Sequence, residues 1–490
     1  MSAQQAPVNE SGAPFSIRQI LAPLAAIIVG LFMVILDGTA VNVAIPGLMT
    51  EFNVEYQLVQ WTVTGYALAQ AAVIPLAGWL SDRFGAKRVF LTSVFLFTVG
   101  SLLCALATSV EQLVIYRILQ GLGGGMVMPI AMAFTYRLSP PEKVGAVMGM
   151  MGIPILLAPA LGPVVAGWLV DYASWKWIFL INIPIGIVGI LLGMRTLPVI
   201  KRQAVASLDK FGIILAPLAF AALSYGVTEG ATSWTAPKTI IAISVGVVAL
   251  ILFIVVELNR KEPLLELRVF KSMDFSKGIV VQWISQIALF GTMFLVPLFL
   301  QDAKGYTAFD TGLIMLPQAL AAGLFMPISG ILYDKIGARP LVLTGMGLVT
   351  VASFILSQVN AESGLWMIIV PLSLLGAGMG LSMMPLNTHL MQSAPRNLVS
   401  RVSSLTNAAS QVMSSFAIAG LATILASKMK LYGPTATSEL ELYSLSFGDT
   451  FLVLTGIAVG GGLLAIILNR PKRVKDGLDD QQPEMMMHMG

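Results

Sequence analysis

The chain is poor in the groups that solution chemistry needs. Only 11% of its 490 residues are charged, and Cys104 is its one cysteine. A single thiol closes no disulfide within the chain and builds no zinc-type cysteine cluster. Two histidines, His389 and His488, are too few for a histidine-based metal site or relay. No GxxxxGK[ST] phosphate loop occurs, which argues against ATP as the energy source, and neither GxSxG nor HExxH is present. The glycines at 121–125 sit inside an apolar run instead of following a strand, so they do not read as a dinucleotide loop. The expectation is a protein that is not an enzyme and that carries no cofactor or metal.

Apolar length is what the chain has in abundance. Hydrophobic residues make up 56% and mean hydropathy is +0.84. Soluble domains carry roughly 25% charged residues, so this composition predicts an all-α polytopic membrane protein. About 20 apolar residues cross about 30 Å of hydrocarbon. Fourteen runs of that kind are expected at 19–48, 57–80, 88–107, 111–136, 142–170, 175–197, 209–229, 237–257, 276–301, 308–332, 339–358, 365–386, 398–427 and 449–469. An even number places both tails on one side.

Basic residues mark the cytoplasmic side of a membrane protein. With the tails inside, 23 of the 29 basic residues fall in cytoplasmic segments, among them Lys201, Arg202, Lys261, Arg396 and Arg470 to Lys475. Five fall outside (Lys176, Lys238, Lys304, Lys428 and Lys430), and Arg117 lies within a span. That asymmetry explains the net charge of +4 without any nucleic-acid partner. The polar start, with no basic n-region, is read as a cytosolic tail over 1–18, and the acidic, methionine-rich 471–490 as a second. The outer segment 428–448 is polar and contains Gly433-Pro434, so it is expected to form a hairpin or a flexible cap.

One stretch occurs twice. Gly78-Trp-Leu-Ser-Asp82-Arg83-Phe-Gly85-Ala-Lys87-Arg88 returns as Gly330-Ile-Leu-Tyr-Asp334-Lys335-Ile-Gly337-Ala-Arg339, a separation of 252 residues (330 − 78). That exceeds any solenoid period and implies two related halves. Each copy follows the second span of its half. The first six spans (19–197) and the last six (263–470) then form the halves, and spans seven and eight (198–262) are an insertion. Gly78, Gly85 and Gly337 are expected to belong to the loop's conformational latch, because glycine supplies the positive φ and the close approach that a tight turn between two apolar helices needs. Asp82 and Asp334, with Arg83, are expected to act as conformational latches, pairing with a base or capping a helix start in the opposite half, such as span thirteen near Leu398. The alternative for both carboxylates is plain loop solvation.

This architecture and this loop resemble the major facilitator superfamily, and within it the fourteen-span drug:proton antiporters of the EmrB/QacA type. Four further stretches carry the resemblance. Leu36-Asp37-Gly-Thr39-Ala-Val41-Asn42-Val-Ala-Ile-Pro46 is similar to the first-helix motif, and Trp61 to Tyr66 to the second-helix motif. Arg117-Ile-Leu-Gln120-Gly121-Leu-Gly123-Gly124-Gly125 resembles the fourth-helix motif. Ala158-Pro-Ala-Leu-Gly162-Pro163-Val-Val-Ala166-Gly167 resembles the antiporter motif, with alanine at two usual glycines. Ala86 likewise stands where the loop often has a base. The resemblance covers about residues 15–470 and implies two six-helix bundles plus two inserted helices in the cytoplasmic membrane. It implies a gating role for Gly162, Pro163 and Gly167, and leaves a periplasmic adaptor open as a partner.

Asp37 and Arg117 are the charges placed well inside spans, where ionisable groups are costly unless paired or facing water. At 1.5 Å per residue Asp37 lies about 25 Å from Ile20, and Arg117 about 9 Å from Glu111 on a span running the other way. The two therefore share a depth and are expected to meet, either as a proton-coupling site or as a static pair fastening helices one and four. Gly121, Gly123, Gly124 and Gly125 predict close helix packing. Pro154, Pro159 and Pro163 predict a bent fifth span.

The second half holds no carboxylate in a span. It offers the amides Gln282, Gln286, Asn387, Asn407 and Gln411, with Phe290, Met293, Met383, Met384 and Met413. Met33, Trp61, Tyr66 and Gln70 are the matching candidates in the first half. Rings and thioethers with a few amides suit lipophilic cations, although ordinary helix packing uses the same residues. Three functions follow as expectations: proton-driven export of lipophilic, cationic compounds; export of one endogenous metabolite, lipid or antibiotic; or a membrane sensor that transports nothing.

Overall fold

Hydrocarbon offers backbone amides no partner, so apolar runs of this length satisfy themselves as helices. The computed structural model describes residues 20–468 except 55, 141, 200–210, 231, 261–262, 361, 396–397 and 437, with a few side chains within helices, that of Pro163 included, left out. The tails and the basic residues Lys201, Arg202, Lys261, Arg396 and Arg470 to Lys475 lie outside the described residues.

Fifteen α-helices run in order: α1 (Leu21–Phe52), α2 (Tyr56–Phe84), α3 (Ala86–Ala105), α4 (Val110–Leu138), α5 (Val144–Tyr172), α6 (Lys176–Leu180), α7 (Asn182–Thr196), α8 (Gly212–Gly230), α9 (Pro237–Asn259), α10 (Met273–Leu298), α11 (Ala308–Ile336), α12 (Ala338–Ser357), α13 (Trp366–Gln392), α14 (Val399–Tyr432) and α15 (Glu439–Ala465). Helices α6 and α7 are one span broken at Ile181, so fourteen spans result. No strand occurs among the described residues. Helix α10 continues past Pro297 into a π-helical turn over Phe299–Ala303.

The expected hairpin or flexible cap at 428–448 is corrected. Helix α14 continues to Tyr432 and α15 begins at Glu439, which leaves a short turn. Asp449 holds the two together, accepting from Lys428 Nζ at 2.7 Å and Tyr432 Oη at 2.6 Å. Ser438 caps α15 by accepting from Glu441 N at 3.2 Å. Ser438-x-x-Glu441 is capping-box spacing, a helix-start signal set among turn residues.

The helices form two six-helix bundles, α1–α7 and α10–α15, plus the inserted pair α8–α9. The bundles meet reciprocally: α2 packs on α14, and α5 on α11. In each case the second span of one half faces the fifth span of the other. The repeated loops sit where these pairs end, a region called the latch end below. Gly85 (φ 93°) and Gly337 (φ 82°) take left-handed turns that fold α3 onto α2 and α12 onto α11. Gly78 and Gly330 have no room for a side chain. A Cβ on Gly78 would stand 2.6 Å from Ser400 O, and one on Gly330 2.2 Å from Gly145 O.

The α5–α11 contact continues to the far end, where a Cβ on Gly312 would lie 3.3 Å from Val164 Cγ2. Helices α2 and α14 differ, because α8 packs against both. Ser224 and Ser415 Oγ atoms are 3.1 Å apart, and Trp234 Nε1 donates to Thr423 Oγ1 at 2.7 Å. Helix α9 lies outside α8 and turns Ile241, Val248, Ile251 and Val255 outward, the surface that lipid requires.

Overpacking such a contact costs about 1–3 kcal/mol, since neither backbone can yield. Gly330→Val is therefore expected to shift the protein away from this latch-closed conformation. Pulsed electron spin resonance between labels at the latch ends of α5 and α11 should show a longer distance than in the wild type; an unchanged distance distribution would contradict the packing argument.

Candidate functional site

Five spans converge on one carboxylate. Helix α1 carries Asp37, and α4 brings Arg117 two turns from its start, which Ser109 caps by accepting from Gln112 N at 3.3 Å. Arg117 Nη1 donates to Asp37 Oδ2 at 2.6 Å and to Gln120 Oε1 at 2.7 Å. Its Nε donates to Thr62 O of α2 at 3.0 Å, and the guanidinium lies 3.9 Å from the ring centre of Tyr66. The other carboxylate oxygen, Oδ1, accepts from Asn182 Nδ2 at 2.7 Å and Gln120 Nε2 at 3.2 Å.

Asn182 also donates to Ser101 Oγ of α3 at 2.9 Å, and Ser101 Oγ donates to Phe179 O at 3.0 Å. Asp37, Arg117, Gln120 and Asn182 are all 0% exposed. A charge sealed at this depth is tolerated because donors surround it. Two polar atoms of the cluster have no protein partner, Arg117 Nη2 and Asn182 Oδ1.

Asn182 and Ser101 escape a reading that searches for charges. Asn182 carries a local signal all the same: Asn182-Ile-Pro184 is a polar residue followed by proline, the pattern of a helix start. It falls where the sixth span breaks at Ile181.

The repeated loops build two different contacts. Asp82 accepts from Arg401 Nε at 3.3 Å, one turn into α14, and from Arg137 Nη2 of α4 at 3.4 Å. Arg401 Nη1 also donates to Pro263 O at 3.0 Å. Asp334 accepts from the backbone of α5, Gly145 N at 2.9 Å and Ala146 N at 3.0 Å. Helix capping is thus done by Asp334, and ion pairing by Asp82. Arg83 is exposed, with its guanidinium 5.6 Å from the Trp79 ring centre. Lys87 Nζ donates to Met194 O and Leu197 O at 2.8 and 2.7 Å, closing the end of α7.

The expected cavity residues separate into groups. Gln282 and Gln286 line a small recess between α10 and α13 with Ser285, Met379, Ser382 and Met383. Gln282 Nε2 donates to Asn387 Oδ1 at 3.0 Å. Phe290 and Met293 lie further along α10 and are half-buried outside that recess. Asn407 donates to Ser403 O of its own helix at 2.8 Å, and Gln411 is half-buried on α14. In the first half Met33 is fully buried, Trp61 stacks on Tyr225 of α8 at 6.0 Å, and Tyr66 lies under Arg117. Gln70 Nε2 lies 3.3 Å from where a Cβ on Gly124 would stand. Gly162 packs α5 onto α1, for its Cβ would collide with Thr39 Oγ1 two residues beyond Asp37. Gly167 is half-buried further along α5, and the side chain of Pro163 lies outside the described residues.

Two six-helix bundles with reciprocal contacts at one end, and a sealed acid–base pair inside one of them, define a membrane transporter and not an enzyme. The chain belongs to the Major Facilitator Superfamily, whose family model matches residues 27–418. It is 35% identical to a multidrug resistance protein B homolog of Mycobacterium tuberculosis over 79% of this chain and 73% of that protein. It is 34% identical to the multidrug export protein EmrB of Haemophilus influenzae, over 83% and 79% respectively. Among solved structures, the human organic anion transporter MFSD10 superposes with a TM-score of 0.65 at 13% identity, covering 90% of this chain and 99% of that one.

Removing one partner of a buried ion pair leaves a lone charge and costs about 3–5 kcal/mol. Arg117→Ala is therefore expected to lower the melting temperature in detergent, and Arg117→Gln combined with Asp37→Asn to recover most of the loss. A melting temperature unmoved by Arg117→Ala would mean that the pair is not sealed.

Proposed function

We propose that the protein is a proton-coupled antiporter that exports lipophilic, cationic compounds across the cytoplasmic membrane by alternating access. In this reading both tails and the latch end face the cytoplasm, in line with the basic residues of the repeated loops. The observation that carries it is the Asp37–Arg117 pair, 2.6 Å apart and wholly buried. A carboxylate inside a span that alternates between an arginine-paired and an unpaired setting changes its proton affinity enough to drive exchange.

The cycle then runs through the two ends. With the latch end closed, Asp37 sits ionised against Arg117. Opening of the far end admits a proton, which neutralises Asp37 and loosens its hold on Arg117. Opening of the latch end breaks Asp82–Arg401 and the cap of Asp334 on α5, exposes cargo sites to the cytoplasm, and lets Arg117 drive the proton off. Gly162 sits where that motion passes from α5 to α1 beside Asp37. Gln282, Gln286 and Asn387, with Met379 and Met383, form the wall of the second half offered to cargo, where amides and thioethers accommodate varied shapes. The printed names of the relatives, multidrug resistance and multidrug export, support drugs as the cargo class.

The test is transport in proteoliposomes with an imposed pH gradient and a panel of lipophilic cationic dyes. Wild-type protein is expected to accumulate dye against its gradient and to release protons when dye is added. Asp37→Asn should lose the dye-driven proton movement by at least tenfold. Unchanged coupling in that variant removes Asp37 from the mechanism, and export of a single metabolite with no dye would replace the multidrug reading.

A further inference from the structure

Asn182 stands in an unusual position. Its side-chain nitrogen serves two acceptors, Asp37 Oδ1 at 2.7 Å and Ser101 Oγ at 2.9 Å, while its own oxygen is buried with no partner. The first half of that arrangement follows from charge. An ionised carboxylate only accepts, so the amide must face it with NH2. Every other contact to Asp37 is also a donor: Arg117 Nη1 and Gln120 Nε2. The site is therefore built for the ionised acid and holds nothing to receive the O–H of the protonated one.

A protonated Asp37 needs an acceptor nearby. Gln120 Oε1 is already engaged by Arg117 Nη1 at 2.7 Å and faces Cys104 Sγ at 3.7 Å. The Asn182 oxygen is engaged by nothing. A half-turn of the Asn182 amide places that oxygen where the nitrogen now stands, facing both Asp37 and Ser101. The carboxylic acid then donates to Asn182 Oδ1. Ser101 also gains an acceptor there, in competition with Phe179 O, to which it donates at 3.0 Å. Phe179 lies two residues before the break that separates α6 from α7, and Asn182 one residue after it.

We propose that Asn182 is a positioning residue that reads the protonation state of Asp37 by reversing its amide, and passes that state through Ser101 to the break in the sixth span. This deepens the antiport reading and rests on Asp37 being the group that takes the proton. The other ionisable or charged groups around Asp37 are Arg117 of α4, Tyr66 of α2 and Cys104 of α3. Helices α5, α6 and α7 also pack against α1 and carry ionisable residues only towards their ends. Arg117 can only donate, the Tyr66 hydroxyl is turned to Val34 O at 3.5 Å, and the Cys104 thiol to Gln120 Oε1, so none of the three presents a free acceptor to Asp37.

The experiment titrates the Asp37 carboxyl by its infrared C=O band, assigned by its loss in Asp37→Asn, in full-length protein in liposomes without cargo. Asn182→Leu keeps the side chain's bulk and removes both amide functions. A donor to an ionised acid is the stronger of the two lost bonds, so the midpoint is expected to rise by about one pH unit. Asn182→Gln, which keeps the amide, should restore at least half of that shift. If Asn182→Leu does not fold, Asn182→Ser serves, with a smaller shift in the same direction.

A wild-type midpoint in folded Asn182→Leu or Asn182→Ser overturns the proposal, as does an Asn182→Gln midpoint no closer to wild type than that of Asn182→Leu. Because the titration needs no transport, it separates this inference from the antiport reading. That reading fails if wild-type protein moves no protons with dye, whatever Asn182 does.

Discussion

A carboxylate with no exposure to solvent, inside helices whose outer faces are apolar, sets the terms for the first half of this protein. Its charge costs several kcal/mol to bury and survives only through donors arranged around it. Those donors come from α4 and from α7, with α2 and α3 holding them in turn. Thr62 O takes the Arg117 Nε, and Ser101 anchors Asn182. The helices of the first bundle are therefore locked in register by a polar cluster and not only by apolar packing, which by itself discriminates weakly between neighbouring helix positions. A glycine that lets α5 lie on Thr39, two residues from Asp37, puts a close helix–helix contact next to the buried charge.

The second constraint is at the latch end, where the two halves meet without side chains between their backbones. At Gly78 and Gly330 the opposite half's carbonyl occupies the space a Cβ would need. Such contacts give dispersion energy over a short range and vanish once the helices part by an ångström or so. A carboxylate stands beside each. Asp334 meets two backbone amides at a helix start, an interaction worth about 0.3–2 kcal/mol. Asp82 meets two arginines. In the proposed cycle these two contacts are the bias towards one closed end that proton or cargo binding has to overcome.

Much of this is legible in the sequence because the membrane makes exceptions conspicuous. Asp37 and Arg117 stand out as charges in apolar runs, and the chain's repeat places Asp82 and Asp334 at equivalent positions. What the repeat hides is that equivalent positions have different partners: Gly145 offers bare amides to Asp334, whereas Arg401 puts a guanidinium before Asp82. Asn182 is uncharged and so blends with the many amides that helices bury. Its position beside Asp37 depends on the break at Ile181, a feature of tertiary packing. Tyr66, a candidate for the cargo cavity, lies under Arg117, where a ring face satisfies a guanidinium as well as it satisfies a ligand. The polar 428–448 segment reads as a loop until Asp449 is seen to tie Lys428 and Tyr432 to the last helix.

The inserted pair α8–α9 is the part that twelve spans would do without, and its contacts say what it adds. At the latch end α2 and α14 touch directly; further along, α8 packs between them through Trp61–Tyr225 and Ser224–Ser415, and Trp234, just after α8, adds a bond to Thr423. The matching seam, α5–α11, has no inserted helix: glycines line it, and α13 of the second half packs against both helices. The chain leaving α9 then returns to the latch: Leu265 N donates to Glu257 Oε2 at 3.1 Å, and Pro263 O receives the Arg401 side chain that also holds Asp82. Arg401 thus ties Asp82 to the segment that follows the insertion, and Leu265 ties that segment back to α9. The insertion makes the two seams unequal: glycines bring α5 and α11 together directly, whereas α8 of the inserted pair packs against both α2 and α14.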